Sequence, residues 1–296
     1  MPLKIAVGMI VFEGDYILKQ CLDQVYPHVD QILIAEGPVA FWQAKGKRTS
    51  EDRTNDILDT YPDPDGKLKV VHGMYAEKDD QSNAYMANIA DDIDYLWMID
   101  SDEVYKTEDI LKIKALLEAE RPTSVGMQSC SFYGGFDRYL TGFELNKDNF
   151  LRIFRYVKGA KWLCHRPPTM QYPANITRKH INSEELFNNT GVQMYHYSYT
   201  FPDQVYKKTT YYMTFVPGGT IENYFGNVYY TWVLGNDDVK RSVEQKHQGV
   251  HEWVPQRRGP CFTEKFRLQH PEAIERDMQL LQITFKEQLS KYIQRR

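Results

Sequence analysis

The feature that most restricts the fold is an alternation along the first 117 residues. Apolar runs at Leu3–Phe12, Asp30–Glu36, Lys67–His72 and Tyr95–Ile99 are each followed by a stretch with helical spacing. The first run is apolar at nearly every position, which suits a strand buried on both faces of a parallel sheet. After it, Ile17, Leu18, Cys21, Leu22 and Val25 recur on one helical face. Pro27 ends that helix, because proline has no N–H to donate. Residues 37–49 read as a loop. Ser50 is placed to cap a helix carrying Ile57, Leu58 and Tyr61, and Pro62 stops it. Gln81–Asp91 is the next expected helix, and Thr107 the cap of another with Ile110, Ile113, Leu116 and Leu117 inward. This β-α-β-α-β-α-β-α order predicts an α/β fold with a mostly parallel central sheet and helices on both faces. Such sheets bind ligands at the carboxyl ends of their strands.

Beyond residue 121 the texture changes to β-branched, aromatic and glycine residues, which read as strands and long loops. Pro202–Phe215 reads as a helix, and residues 216–270 give no clear pattern. Pro271 opens a C-terminal helix with Ile274, Met278, Leu281, Phe285, Leu289 and Ile293 on one face. The expected layout is residues 1–120 as one half of a domain, 121–235 as its other half, and 236–296 as a mostly helical extension.

Several classes are excluded by composition. No run of 18 apolar residues exists, so no membrane-spanning helix is expected, and no leader-like layout opens the chain. Cys21, Cys130, Cys164 and Cys261 lie far apart without a C-x-x-C pair, which argues against a zinc site or a disulfide framework and fits a cytoplasmic protein. Neither a dinucleotide fingerprint nor a phosphate loop of the G-x-x-x-x-G-K type is present. The net charge of −4 is too mild for a nucleic-acid polymer as partner. That average hides a split. Residues 51–109 carry 17 acidic against 5 basic side chains, and residues 110–296 carry 18 acidic against 26 basic. The split fits an acidic cation site facing basic anion contacts, or simply solvated helix-capping acids. The 21 tyrosines fit either a sugar platform or core filling.

Asp-x-Asp occurs three times. Asp63-Pro-Asp65 sits in a turn and Asp92-Ile-Asp94 at an expected helix end. Asp100-Ser101-Asp102-Glu103 differs, because the apolar run Tyr95–Ile99 delivers it to the end of a buried strand. Three carboxylates in four residues repel one another unless a cation compensates, and a hard divalent ion with oxygen ligands is a natural choice. The alternative is that these acids merely precede the next helix near Lys106.

The order of these features resembles the GT-A fold glycosyltransferases, specifically their family 2-like group (nucleotide-diphospho-sugar transferases with a Rossmann-like sheet). The resemblance spans about residues 3–200. Met9-Ile-Val11-Phe-Glu13-Gly14-Asp15 is similar to the family's strand-ending segment, with Glu13 where asparagine is common. Cys21-Leu-Asp-Gln-Val-Tyr-Pro-His-Val-Asp-Gln-Ile resembles "CLxSVxPxVDEI". Ile34-Ala-Glu36-Gly37 followed by Ser50-Glu-Asp52-Arg53-Thr54 resembles the "DxGSTDxT" turn, split by an insertion. Gln81-Ser-Asn83 resembles "QRN", and Asp100-Ser101-Asp102-Glu103 the DxD motif. More loosely, Leu151-Arg152-Ile-Phe-Arg155 and Trp162-Leu-Cys-His165 resemble "RLFR…W.G.VHE", with Arg166 replacing the family's acid. Tyr195-His196-Tyr-Ser-Tyr199 resembles a strand that brings a histidine towards the metal.

The resemblance implies sugar transfer from a nucleotide-diphosphate donor to a hydroxyl acceptor such as a carbohydrate, more in keeping with inversion. It implies Mn2+ or Mg2+ held by Asp100, Asp102 and His196, neutralising the leaving diphosphate. Val11, Glu13, Glu36, Arg53, Asn83, Asp100, Ser101 and Lys207 are the implied donor contacts. Glu36 would accept from the base, and Asn83 would meet ribose or sugar. Lys208 follows Lys207 towards the diphosphate. Asp137, Glu144, Asp148, Glu184 and Glu185 are candidates for the base that takes the acceptor's proton, with no choice among them. Two other classes stand beside this one. A sugar-nucleotide nucleotidylyltransferase would carry a basic glycine-rich loop after the first strand, where Val11-Phe-Glu13-Gly14-Asp15 is acidic. A non-catalytic carbohydrate-binding or scaffold protein on the same fold is suggested by Glu13 and Arg166.

Overall fold

A computed structural model describes residues 2–141, 150–174, 176–215, 223–247 and 260–293. The chain divides into two compact units, Met1–Gln128 with Asn149–Gln193, and Ser129–Asp148 with Met194–Arg296. Each unit is assembled from two stretches of chain.

The first unit runs β1 (Ile5–Val11), α1 (Leu18–Val25), β2 (Gln31–Glu36), α2 (Ala40–Gln43), α3 (Thr54–Thr60), β3 (Leu68–His72), α4 (Lys78–Met86), β4 (Tyr95–Met98), β5 (Glu103–Val104), α5 (Thr107–Glu120) and β6 (Ser124–Met127). The chain then enters the second unit with β7 (Ser129–Tyr133) and β8 (Arg138–Leu140). It returns with β9 (Phe150–Arg155), β10 (Lys161–Cys164), β11 (Thr169–Gln171), β12 (His180–Ile181) and α6 (Ser183–Thr190). The second unit is completed by β13 (Met194–Tyr199), α7 (Pro202–Phe215), a π-helical segment (Phe225–Tyr230), α8 (Thr231–Leu234), α9 (Asp237–Lys246), β14 (Thr263–Lys265) and α10 (Glu272–Ile293).

The main sheet has seven strands in the order β12-β6-β9-β4-β1-β2-β3. Strands β3, β2, β1 and β4 are parallel, as the sequence predicts. The other half is not. β9 runs antiparallel to both β4 and β6, so the sheet is mixed rather than mostly parallel. The reason is topological. After β6 the chain leaves for the second unit and re-enters as β9 beside β4, without the helical crossover that a parallel partner requires. β1 is buried at all but one position, as a central strand must be. Gly8 on it accommodates α4, since an added Cβ would lie 2.4 Å from the Tyr85 ring.

Three helix starts differ from expectation. α3 begins at Thr54, because Ser50 is used elsewhere, as described below. α4 begins at Lys78 and ends at Met86, earlier than Gln81–Asp91, because Glu77 and Asp80 form a reciprocal capping box. α5 has Lys106 at its cap and Thr107 inside it. The expected loop 37–49 contains the short helix α2.

In the second unit β13 lies parallel to β7, β8 antiparallel to β7, and β14 antiparallel to β8. Its core gathers Tyr133, Tyr199, Tyr224, Tyr229 and Trp232. The Tyr133 and Tyr224 hydroxyls bond to each other at 2.9 Å, which satisfies two polar groups that burial would otherwise leave unpaired. These tyrosines are core filling. Among the described residues no helix is long and apolar enough to cross a membrane.

Candidate functional site

The strand order places β2 on one side of β1 and β4 on the other. The chain therefore reverses direction across the sheet between β1 and β4, and the crevice at their carboxyl ends is the expected ligand position. Glu13, Glu36, His72 and Asp100 follow or end the four parallel strands and so share that edge.

The insertion after Gly37 does not separate the halves of the split turn. Glu36 is buried, and its Oε1 accepts from Ser50 N–H at 3.0 Å while Oε2 pairs with His72 Nδ1 at 3.0 Å. Ser50 Oγ accepts from Glu13 N–H, and Thr54 Oγ1 accepts from Gly14 N–H. Ser50 therefore ties the loop after β1 to the end of β2 instead of capping a helix. Glu13 sits at φ 47, a left-handed conformation that asparagine tolerates better than glutamate. Lys47 holds its carboxylate at 2.7 Å. Gly37 has φ +142, and an added Cβ would stand 1.9 Å from the Gly73 carbonyl. Gly14 is also closely packed, with Ser101 Oγ 2.8 Å from its would-be Cβ, so the loops after β1 and β4 touch.

Two anticipated donor contacts are employed by the protein itself. Both ends of the Asn83 amide grip the Trp162 peptide, Nδ2 donating to its carbonyl at 2.9 Å and Oδ1 accepting from its N–H at 2.8 Å. Asn83 thereby anchors β10 to α4. Both Glu36 oxygens are engaged by Ser50 and His72. The Val11 carbonyl accepts from Gly37 N–H and from Gln81 Nε2, which also donates to the Ala35 and Gly37 carbonyls. Gln81 thus clamps the ends of β1 and β2, a role that the sequence pattern did not disclose. Arg53 is largely exposed, with its Nε 3.8 Å from Asp15.

The acidic turn after β4 has an internal cation. Glu103 is fully buried, and Arg152 on β9 forks onto it, with Nε 3.0 and 2.9 Å from its two oxygens and Nη2 also bonded to Oε1. Glu103 Oε2 also accepts from Asp100 N–H, which shapes the turn. Arg152 Nη2 reaches Asp100 Oδ2 at 3.2 Å. Burial opposes the charge on Arg152, but the Glu103 and Asp100 carboxylates outweigh it and raise its pKa above the usual guanidinium value. Cys21 packs beneath this turn. Burial pushes its thiol well up, and the Glu103, Asp102 and Asp100 carboxylates push the same way, so it is an inert thiol. Arg152 therefore neutralises Glu103 and part of Asp100.

A second guanidinium reaches the same oxygen. Arg166 Nη2 lies 3.8 Å from Asp100 Oδ2. The neighbouring His165 is buried, 3.3 Å from Ser82 Oγ through Nδ1, and burial drives its imidazole down to about 3, so the ring is neutral. Asp100 and Asp102 remain at least partly solvent-accessible. They offer hard oxygen donors that suit Mg2+ or Mn2+, ions that commonly bind through one or two carboxylates together with phosphate oxygens. Among the described residues no group of three or more His, Cys, Asp or Glu converges as a cage.

The remaining expected residues lie on other elements. His196 lies in β13 of the second unit, with its backbone beside Ser131. Lys207 lies in α7, and Lys208 donates to Ser198 Oγ at 2.7 Å. Asp137 is exposed after β7, and Glu184 and Glu185 are exposed in the first turn of α6. Glu144 and Asp148 lie outside the described residues.

No protein-family model matches the chain, and neither does any curated protein. Among solved structures, TarS of S. aureus (residues 1–349, in complex with UDP-GlcNAc) overlaps 45% of this chain and 36% of its own, at 12% identity and a TM-score of 0.35. The same protein in complex with UDP overlaps 52% of this chain and 47% of its own, at 12% identity and a TM-score of 0.36. This chain thus spans less than half of the length of those structures, and the overlap is too loose to bear on ligand or activity.

Proposed function

We propose that the protein is a metal-dependent glycosyltransferase that moves a sugar from a nucleotide diphosphate to an acceptor hydroxyl, with inversion. The observation that carries this reading is the placement of Asp100, Ser101 and Asp102 at the switch point, directly against the loop after β1. Asp100 and Asp102 would hold Mn2+ or Mg2+, which supplies positive charge where the leaving diphosphate develops negative charge. Glu13, with Lys47, and Arg53 line the same edge for the nucleoside. Ser101 borders the diphosphate. A carboxylate takes the acceptor's proton.

The test is Asp102→Ala. Manganese-dependent binding of a panel of nucleoside diphosphates should fall by about tenfold or more, the worth of a lost charged contact, while the melting temperature without ligand stays near wild type. Unchanged affinity would remove the acidic turn from the site.

A further inference from the structure

An imidazole at the same sheet edge is oriented by a buried acid. Glu36 and His72 are register partners at the ends of β2 and β3. The Glu36 side chain is 1% exposed and that of His72 51% exposed, with Oε2 and Nδ1 3.0 Å apart. A ligand arriving at this end therefore meets the ring, with the carboxylate beneath it. A carboxylate only accepts, so Nδ1 carries the ring proton and the neutral imidazole keeps a lone pair at Nε2. The other Glu36 oxygen accepts from Ser50 N–H, and Ser50 Oγ accepts from Glu13 N–H at 2.8 Å. The tautomer and direction of the ring are thus set through Glu36 by the loop after β1.

We propose that His72 is a specificity residue that reads the donor's nucleobase, selecting bases with a ring N–H (uracil, thymine or guanine) over bases with a ring lone pair in that place (cytosine or adenine). This rests on the nucleotide-sugar reading above. Position excludes the other use of such a pair, which is proton abstraction from the acceptor. β3 is the outermost strand and β4 lies three strands away, about 14 Å at the usual strand spacing. His72 is therefore out of reach of a sugar whose diphosphate sits at Asp100 and Asp102. A nucleotide with its diphosphate there extends its base over β1, β2 and β3, because β9, on the far side of β4, presents its amino end at this edge. Nε2 then accepts from uracil N3–H or guanine N1–H. Cytosine N3 and adenine N1 carry no hydrogen, so two lone pairs would face each other.

Calorimetry on the full chain at saturating manganese should compare UDP with CDP, which differ only along this edge of the base, and GDP with ADP. Within whichever pair binds, the wild-type protein should hold the N–H base about tenfold more tightly, the worth of a hydrogen bond gained against a lone pair opposed. His72→Ala should bring that ratio to within about twofold of one. Glu36→Gln tests the orientation. Its carbonyl oxygen stays on Ser50 N–H, so its amide N–H turns to Nδ1, which must then accept, and the ring proton moves to Nε2. The ratio should fall to one or below, a change that a merely structural acid would not produce. Each ratio is taken within one variant, so a loss of stability common to both ligands cancels. A wild-type ratio near one, or a ratio that either substitution leaves unchanged, refutes the role of His72 while the glycosyltransferase reading stands. If the wild-type protein binds no nucleoside diphosphate with manganese, that reading itself fails and the role of His72 fails with it.

Discussion

Replacing Arg152 by methionine removes the cation on which the turn after β4 is built. The side chain has similar reach and no charge, so packing against β9 is largely kept. Glu103 then remains fully buried with a carboxylate that has lost its cationic partner. Breaking one side of a buried pair costs about 3–5 kcal/mol, because the surviving charge is neither solvated nor paired. The Asp100 contact adds less, since solvent reaches that carboxylate. For a cooperative unit of 150–250 residues this corresponds to a melting temperature lower by about 6–20 °C. Urea unfolding followed by tryptophan fluorescence is the assay, because Trp42, Trp97 and Trp162 all lie in the first unit. A second substitution, Glu103→Gln, in the same background should recover at least half of the loss, since it removes the stranded charge. A single Arg152→Met variant less than about 1 kcal/mol below wild type would show that Arg152 is not the internal counter-ion. A double variant that merely adds the two single losses would show the same.

Two further outcomes follow from the geometry. His165 titrates at about 3 when folded, against 6.5 for the ordinary imidazole, so below pH 6.5 the unfolded chain binds a proton that the folded chain refuses. Its contribution is complete above pH 6.5 and is lost as pH falls towards 3, amounting to about 2 kcal/mol at pH 5. His165→Gln, which cannot charge, should narrow the gap between urea midpoints at pH 7 and pH 5, and an unchanged gap would contradict the assignment. Gly37→Ala places a Cβ on the Gly73 carbonyl at a positive φ and should destabilise by about 2 kcal/mol or more in a thermal melt.

Three of the four parallel strands, β1, β2 and β4, were legible because each is a compact apolar run buried on both faces, whereas β3 is a partly exposed edge strand. The acidic turn was legible for the same reason, since Tyr95–Ile99 delivers it to a strand end. The antiparallel half was not. The neighbours of β9 and β6 are set by where the chain re-enters the sheet after an excursion into the second unit. Arg152 shows the limit most sharply. Its partner Glu103 is 49 residues away in the chain. The one local signal was an arginine inside the apolar strand Phe150-Leu-Arg-Ile-Phe, which must be paired if buried. Ser50 misled in the opposite way. Its type suits a helix cap, but Glu13 and Glu36 compete for its hydroxyl and its N–H, and the tertiary bonds win. Asn83 and Glu36 sit where the resemblance implies ligand contacts, and their polar atoms also bond peptide groups and a histidine that no sequence spacing reveals.

The central claim is that the edge formed by the ends of β1 and β4 binds a nucleoside diphosphate together with a divalent ion. Thermal melting of the wild-type chain against a panel of nucleoside diphosphates and their sugar conjugates, each with and without manganese, tests it most directly. The account predicts that at least one of them raises the melting temperature with manganese and fails to do so when the metal is chelated. A panel in which nothing shifts the melting temperature in the presence of manganese would contradict it.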